Sequence, residues 1–197
     1  ILVTRSLADW LAYIERQHPQ PIALGLERVA DVLQRIKVKI TCPVITVGGT
    51  NGKGSTCAML ESILQAGGYR TGLYTSPHLL RYNERVRVAR SEAPDEELSR
   101  GFASVKRARG DVPLTYFEYG TLAAVWLFVD RCVDVAVLEV GLGGRLDAVN
   151  AFDADCAVVT TVDIDHVDFL GGDREAIGRE KAGIFRTGRP AVCADSA

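Results

Sequence analysis

Lys53 and the glycines around it carry the strongest chemical signal in the sequence. Residues 43–56 read P-V-I-T-V-G-G-T-N-G-K-G-S-T. The apolar run of Val44, Ile45 and Val47 stops at Gly48 and Gly49, and a helical pattern follows Ser55. Glycines let the backbone take positive φ and turn N–H groups inward, and the N-terminus of a following helix favours an anion. A lysine adds a point charge for the outer phosphates, and a nearby hydroxyl can ligate magnesium. The spacing departs from G-x-x-x-x-G-K-[ST], because position 47 is valine and Gly54 follows the lysine. The plainer alternative is a glycine-rich strand-to-helix turn with a solvated lysine. The strand–loop–helix context favours the phosphate cradle.

Other groups could join this chemistry. Glu139 closes a nearly continuous apolar run, so it is a magnesium ligand, a water-orienting group or a solvated strand end. His166 stands among Asp163, Asp165 and Asp168. That company suits a metal site, while a lone loop histidine is as often just hydrogen-bonded. His78, after Pro77, is ambiguous, and His18, beside Pro19, reads as a surface turn residue. The Gly141–Gly144 loop is either a second backbone cradle or a turn. No Ser/His/Asp nucleophile set is evident.

The elements that must position these groups alternate between strand and helix. Ser6-x-x-Asp9 is a capping box in front of Trp10, Leu11 and Ile14. Leu26, Val29, Leu33 and Ile36 fall on one helical face. After the phosphate loop, Met59, Leu60, Ile63 and Leu64 are expected on a buried helix face that Gly67-Gly68 ends. Residues 69–75 read as a strand, and residues 82–88, with alternating charge, as a half-buried one. A helix starts at Pro94-Asp95-Glu96-Glu97, and another follows Thr115, with Leu122, Val125, Trp126 and Val129 as core candidates. Residues 133–140 read as a strand buried on both faces, residues 156–162 as a similar one, and a helix from about Arg174 carries Lys181. This order predicts an α/β fold, a mostly parallel sheet with flanking helices. Ligands of such sheets gather at the carboxyl ends of the strands. The phosphate loop, Ser76, Glu139, Gly141–Gly144 and His166 all fall there.

Composition sets the outer limits. The chain has 197 residues, 47% apolar and 24% charged, which suits a globular core. A formal charge of −2 gives no nucleic-acid footprint. No membrane-length apolar run or signal peptide is read, and five scattered cysteines suggest free thiols in a reducing, cytoplasmic setting. The chain starts at Ile1 and stops at Ala197, soon after an apparent strand at residues 190–193, so a piece of a longer protein is expected.

Seven runs stand in order along the chain: G-T-N-G-K-G-S (Gly49–Ser55), T-S-P-H-L (Thr75–Leu79), R-Y-N-E-R (Arg81–Arg85), T-Y-F-E (Thr115–Glu118), E-V-G-L-G-G-R-L-D (Glu139–Asp147), D-H (Asp165–His166) and R-E-K-A-G-I-F-R (Arg179–Arg186). Together they resemble the folylpolyglutamate synthase/dihydrofolate synthase family of ATP-dependent Mur-type amide ligases, in its bacterial bifunctional form. The resemblance implies a P-loop NTPase-like fold, the Mur ligase central domain, incomplete at its C-terminus. It implies ATP phosphates on Thr50, Asn51, Gly52, Lys53, Gly54 and Ser55, and magnesium on Ser76, Glu139 and His166. It implies a pterin-bearing substrate near Ala23–Leu24, Thr115, Tyr116, Phe117 and Glu118, and Leu146, Asp147 and Ala148. Lys53, Lys181 and His166 would serve catalysis. Lys181 matches a lysine that the family carries as a carbamate; otherwise it is an ordinary helix-surface lysine.

The implied reaction joins L-glutamate to dihydropteroate or a folate through an acyl phosphate. The implied partners are small molecules only, ATP, the pteroate or folate and glutamate, with no nucleic acid or membrane and a monomeric parent. Relatives have Asp-Leu-Gly-Leu where this chain has Ala23-Leu24-Gly25-Leu26, so pterin recognition differs in detail here. The family's further C-terminal, glutamate-ligating domain is absent from residues 1–197, and this stretch alone is expected to be inactive. A cell-wall Mur ligase is the second enzymatic reading, opposed by T-Y-F-E and G-L-G-G-R-L-D. A nucleotide-binding module without catalysis is the third.

Overall fold

A computed structural model describes residues 5–195. Ile1 and Ala197, which prompted the expectation of a longer protein, lie outside them. The helices are α1 (Leu7–Ile14), α2 (Glu27–Ile36), α3 (Lys53–Ala66), α4 (Asp95–Arg109), α5 (Tyr116–Asp130), α6 (Val167–Leu170) and α7 (Arg174–Ala182). The strands are β1 (Val44–Gly48), β2 (Thr71–Tyr74), β3 (Val86–Val88), β4 (Ser91–Glu92), β5 (Val135–Glu139), β6 (Cys156–Val159) and β7 (Ala191–Cys193). They form one seven-stranded sheet in the order β4-β3-β2-β5-β1-β6-β7. The pairs β2–β5, β5–β1, β1–β6 and β6–β7 are parallel, and the pairs β2–β3 and β3–β4 are antiparallel, so β3 alone of these strands runs against the others. This is the expected mostly parallel α/β sheet.

The strands' two-residue period decides what each face carries. In β5, Ala136 and Leu138 join the large core formed with α1, α2, α4 and α5. Val135 and Val137 face the other way and pack with Val47, Leu73 and Cys57 beneath α3. Every residue of β5 is buried, as expected of a strand covered on both faces. The Ser6–Asp9 capping box is present on α1, and Gly67 caps α3.

Three expectations need correction. The chain over Tyr82–Arg85 is a 3₁₀ turn, and only Val86–Val88 is strand. The cause is Glu84, whose carboxylate accepts the N–H groups of Leu79, Leu80 and Arg81 and curls the backbone. On α3, Met59 and Ile63 are 64% and 68% exposed, and the inward residues are Cys57 and Glu61 with Leu60 and Leu64 beside them. The helix is rotated because buried Glu61 pairs with Arg87 of β3 at 3.2 Å. Val129, expected in the core, lies exposed near the end of α5.

Candidate functional site

The parallel strands β2, β5, β1 and β6 end on one edge of the sheet, and the segments that leave them enclose a cleft of about 360 Å³. Lys53, Ser76 and His166 line it at one part. Ala23, Leu24, Thr115, Phe117, Glu118, Leu146, Asp147 and Ala148 line the remainder. The strand-end argument and the motifs therefore agree on one location.

The glycine–lysine loop joins β1 to α3 as the strand–loop–helix pattern predicts. Gly52 has φ 83° and stands at the N-cap of α3 without a side-chain cap. Thr56 N–H bonds to the Gly52 carbonyl, so the amides of Lys53, Gly54 and Ser55 are the donors left over at the positive end of the helix. Lys53 Nζ rests on the carbonyls of Gly49 (2.9 Å) and Thr50 (3.2 Å). The amides of Thr50 and Asn51 are already engaged. Thr50 N–H donates to the Thr161 carbonyl at 2.7 Å, and Asn51 N–H to Thr161 Oγ1 at 3.0 Å.

Glu139 continues the parity of Val135 and Val137, which turns its carboxylate toward α3. It is 4% exposed, so it is no solvated strand end. Oε2 accepts the Ser76 N–H at 3.0 Å, and Oε1 lies 3.8 Å from where a Cβ on Gly54 would sit. Burial raises its carboxyl above the ordinary range, against the pull of the Ser76 N–H and Lys53. His166 has φ 49° and opens α6, with Nε2 3.5 Å from Asp165 Oδ2. Among the described residues no group of three or more His, Cys, Asp and Glu is placed to hold a metal. Of the acids around His166, Asp163 Oδ1 accepts Ile164 N–H, and Asp165 stays with His166, its Oδ1 accepting the His166 N–H. Of the three groups expected to hold a metal, Ser76 and His166 line the cleft and Glu139 is joined to Ser76 through the Ser76 N–H.

Tyr116 does not line the cleft with its T-Y-F-E neighbours. Thr115 caps α5, its Oγ1 accepting Glu118 N–H while Glu118 Oε2 accepts Thr115 N–H. Successive helical residues point about 100° apart. Tyr116 thus faces a second cavity, of about 570 Å³, with His78, Glu15 and His18. His78 Nδ1 accepts from Arg85 Nε at 2.8 Å, and burial with the Arg85 charge lowers its pKa. Its role is to orient Arg85.

Two arginines of the site escaped the sequence reading. Arg28 Nη2 donates to the Ala23 carbonyl at 2.6 Å and Arg28 Nε to Glu118 Oε1 at 3.0 Å, which holds the Ala23 backbone to α5. The signal was a cation in the first turn of a helix, where the dipole disfavours it. Arg85 lines the cleft and lies over the rings of Tyr82 (5.6 Å) and Tyr116 (5.5 Å). Its place in the alternating run 82–88 hid it among strand residues.

The Gly141–Gly144 loop is a turn and no second cradle. The amides of Gly141 and Leu142 donate to Asp147 Oδ2, and Val149 N–H to Asp147 Oδ1. Gly144 lies against α7, where a Cβ would come 2.6 Å from the Glu180 carbonyl oxygen and 2.9 Å from that of Lys181. Lys181, on that helix, is 3% exposed, which rules out the helix-surface alternative. Burial and the Lys53 charge push its pKa down, against Asp165.

Asp147 makes the loop sensitive to pH. It is 3% exposed, and burial pushes its carboxyl up from 3.8 to about 7, against the amides of Leu142, Val149 and Gly141 and the charge of Lys53. The folded chain therefore holds this proton more tightly than the unfolded one. The stability it contributes is fully present below about pH 4 and is lost as pH rises through about 7. The stability difference between the wild type and Asp147→Asn, which does not titrate, is expected to move against the wild type from pH 5 to pH 8. Denaturant melts across that range check it, and a constant difference contradicts it.

Comparison with known proteins bears on this cleft. Residues 47–194 match the family described as Mur ligase middle domain. The dihydrofolate synthase/folylpolyglutamate synthase of Escherichia coli (strain K12) is 60% identical over 187 residues, 94% of this chain and 44% of that protein. The Haemophilus influenzae protein of that name is 54% identical over 190 residues, 96% of this chain and 43% of that one. The solved structure of E. coli FolC in complex with DHPP and ADP has a TM-score of 0.95 at 58% identity, covering 97% of this chain and 46% of that one. The Yersinia pestis bifunctional folylpolyglutamate synthase/dihydrofolate synthase complexed with AMPPNP and Mn ion gives 0.93 at 55% identity, covering 98% and 48%. The chain spans less than half the length of these relatives.

Proposed function

The chain belongs to the Mur ligase middle domain family, and from that premise we propose that it is the ATP-binding part of a ligase that joins L-glutamate to dihydropteroate or to a folate. The observation that carries this reading is one cleft lined both by Lys53, Ser76 and His166 and by a mixed polar and apolar shelf that includes Ala23, Thr115, Phe117 and Asp147. A carboxylate lying on that shelf reaches toward a γ-phosphate held by Lys53.

The reaction then has two displacements. A carboxylate oxygen of the pteroate or folate attacks the γ-phosphorus, forming an acyl phosphate and releasing ADP. The amine of glutamate attacks the acyl carbon, the amide bond forms, and phosphate leaves as the amine gives up a proton. Lys53 and the amides of residues 53–55 hold the transferring phosphoryl group, and most of the rate comes from positioning and charge neutralisation. Ser76, Glu139 and His166 would hold magnesium, which when bound neutralises phosphate charge. Arg28 and Glu118 fix the shelf, and Phe117 offers a ring face for a flat heterocycle. The protein is proposed to act as a cytoplasmic monomer; among the described residues no helix is long and apolar enough to cross a membrane.

Buried Lys181 is proposed to carry a carbamate. Carbamylation needs a neutral amine, and a lowered pKa supplies more of it. A carbamyl resonance in ¹³C NMR after incubation with labelled bicarbonate, lost in Lys181→Arg, is expected; identical spectra for the two proteins contradict it.

The direct test of function is a substrate panel on the full-length protein, with ATP, labelled glutamate, and magnesium, manganese or no metal. Amide product with dihydropteroate or tetrahydrofolate supports the reading. Product only with a nucleotide-linked muramyl acid assigns the cell-wall class, and nucleotide binding without product assigns a binding module.

A further inference from the structure

The phosphate loop is joined to the segment leaving β6 well beyond the end of strand pairing. The β1–β6 register stops at Gly48 and Val159. Past it, Thr160 Oγ1 donates to the Asn51 carbonyl at 2.6 Å. Thr161 Oγ1 accepts the Asn51 N–H at 3.0 Å and lies 3.3 Å from the Asn51 carbonyl oxygen. Thr50 Oγ1 accepts the Asp163 N–H at 3.0 Å and donates to the Asp163 carbonyl at 3.1 Å. The approach is close enough that a Cβ on Gly49 would overlap Thr160 Oγ1.

The same segment reaches His166 a few residues later. On its other side it is held by Arg174, whose Nε donates to the Val162 carbonyl at 2.9 Å. A phosphate loop and a cleft histidine are thus two ends of one hydrogen-bonded strap. Thr161 is its middle link and is exposed, so a change there leaves the core alone.

We propose that Thr161 is a positioning residue whose hydroxyl ties the phosphate loop to the His166 segment, so that nucleotide binding and divalent-cation binding strengthen one another. This rests on the reading that the loop takes ATP phosphates and that His166 helps to hold the cation. Two sites that share a rigid link favour each other's ligand by the same factor. Groups that orient metal ligands typically change metal affinity about 10–100-fold when removed.

The experiment is a calorimetric titration of the full-length protein with AMPPNP, with and without Mn²⁺, on wild type, Thr161→Val, Thr161→Ala and Thr161→Ser. Valine keeps the shape and removes both hydroxyl contacts. In wild type, Mn²⁺ tightens AMPPNP binding. In the Val and Ala variants, the enhancement by Mn²⁺ falls about tenfold or more, over and above any change in metal-free AMPPNP binding. Serine restores it. Wild-type enhancement in both the Val and Ala variants overturns the inference and leaves the functional reading standing. Equal loss of binding with and without metal also overturns it, because Thr161 would then serve the loop alone. A wild-type protein that binds AMPPNP with no effect of Mn²⁺, or does not bind it, overturns the functional reading itself. Thermal melts identify any variant that fails to fold, and the remaining one of Val and Ala decides.

Discussion

Lys53→Ala lowers ATP-dependent ligation by about 10²–10³-fold or more and leaves the fold in place. Removing a preorganised donor to developing phosphate charge typically has an effect of about that size. The fold survives because Lys53 Nζ touches only the carbonyls of its own loop, Gly49 and Thr50. No core contact is lost, and α3 keeps its buried Cys57 and Glu61. Single-turnover measurement of ATP cleavage in the full-length protein, paired with a thermal melt, separates the two effects. A variant within a few-fold of wild type would remove the phosphate cradle from the mechanism.

Gly144→Ala drives a methyl group into the backbone of α7. Its Cβ would meet the Glu180 carbonyl oxygen at 2.6 Å and Lys181 Cα at 3.0 Å. These are backbone atoms of α7 and cannot rotate aside, so the helix must shift. Overpacking of this kind costs about 1–3 kcal/mol. The shift also drags buried Lys181, so activity falls beyond what the lost stability explains. Gly178→Ala is the control: its Cβ meets only Val162 Cγ1 at 3.6 Å, an ordinary contact. Chemical denaturation of both variants is decisive, because equal midpoints would mean that the Gly144 contact relaxes freely.

Much of this was legible in the residues. Alternation of strand and helix patterns placed the phosphate loop, Ser76, Gly141–Gly144 and His166 at the carboxyl edge, where ligands of such sheets gather, but not the Ala23 and Thr115–Glu118 segments, which follow no strand. The phosphate loop was legible because glycine spacing and an adjoining helix are local features. The phase of α3 was not, since it depends on Glu61 meeting Arg87 of β3, a partner far along the chain. The two faces of the T-Y-F-E turn were not separated either: the motif names four residues, but helix geometry sends Tyr116 to a different cavity. Gly141–Gly144 looked like a possible cradle because composition does not say where amides point. Asp147, six residues beyond Gly141, takes the amides of Gly141 and Leu142.

The sheet order has a further meaning for how the molecule is made. β1 is the central strand of the site, yet both its partners come late. Val44 pairs with Ala136 on one side and Ile45 with Cys156 on the other. Between β1 and β5 in sequence lie three helices and three strands, β2, β3 and β4, and those strands pair elsewhere in the sheet. Contacts of such long sequence separation form slowly, because loop-closure entropy is lost before the pairing rewards it. On the ribosome the whole glycine–lysine motif has been synthesised once Ser55 emerges, but Thr160 and Thr161, which fix its shape, follow more than a hundred residues later. A nascent chain thus carries the motif well before it has the loop, and nucleotide can help it fold only once Thr160 and Thr161 have been made.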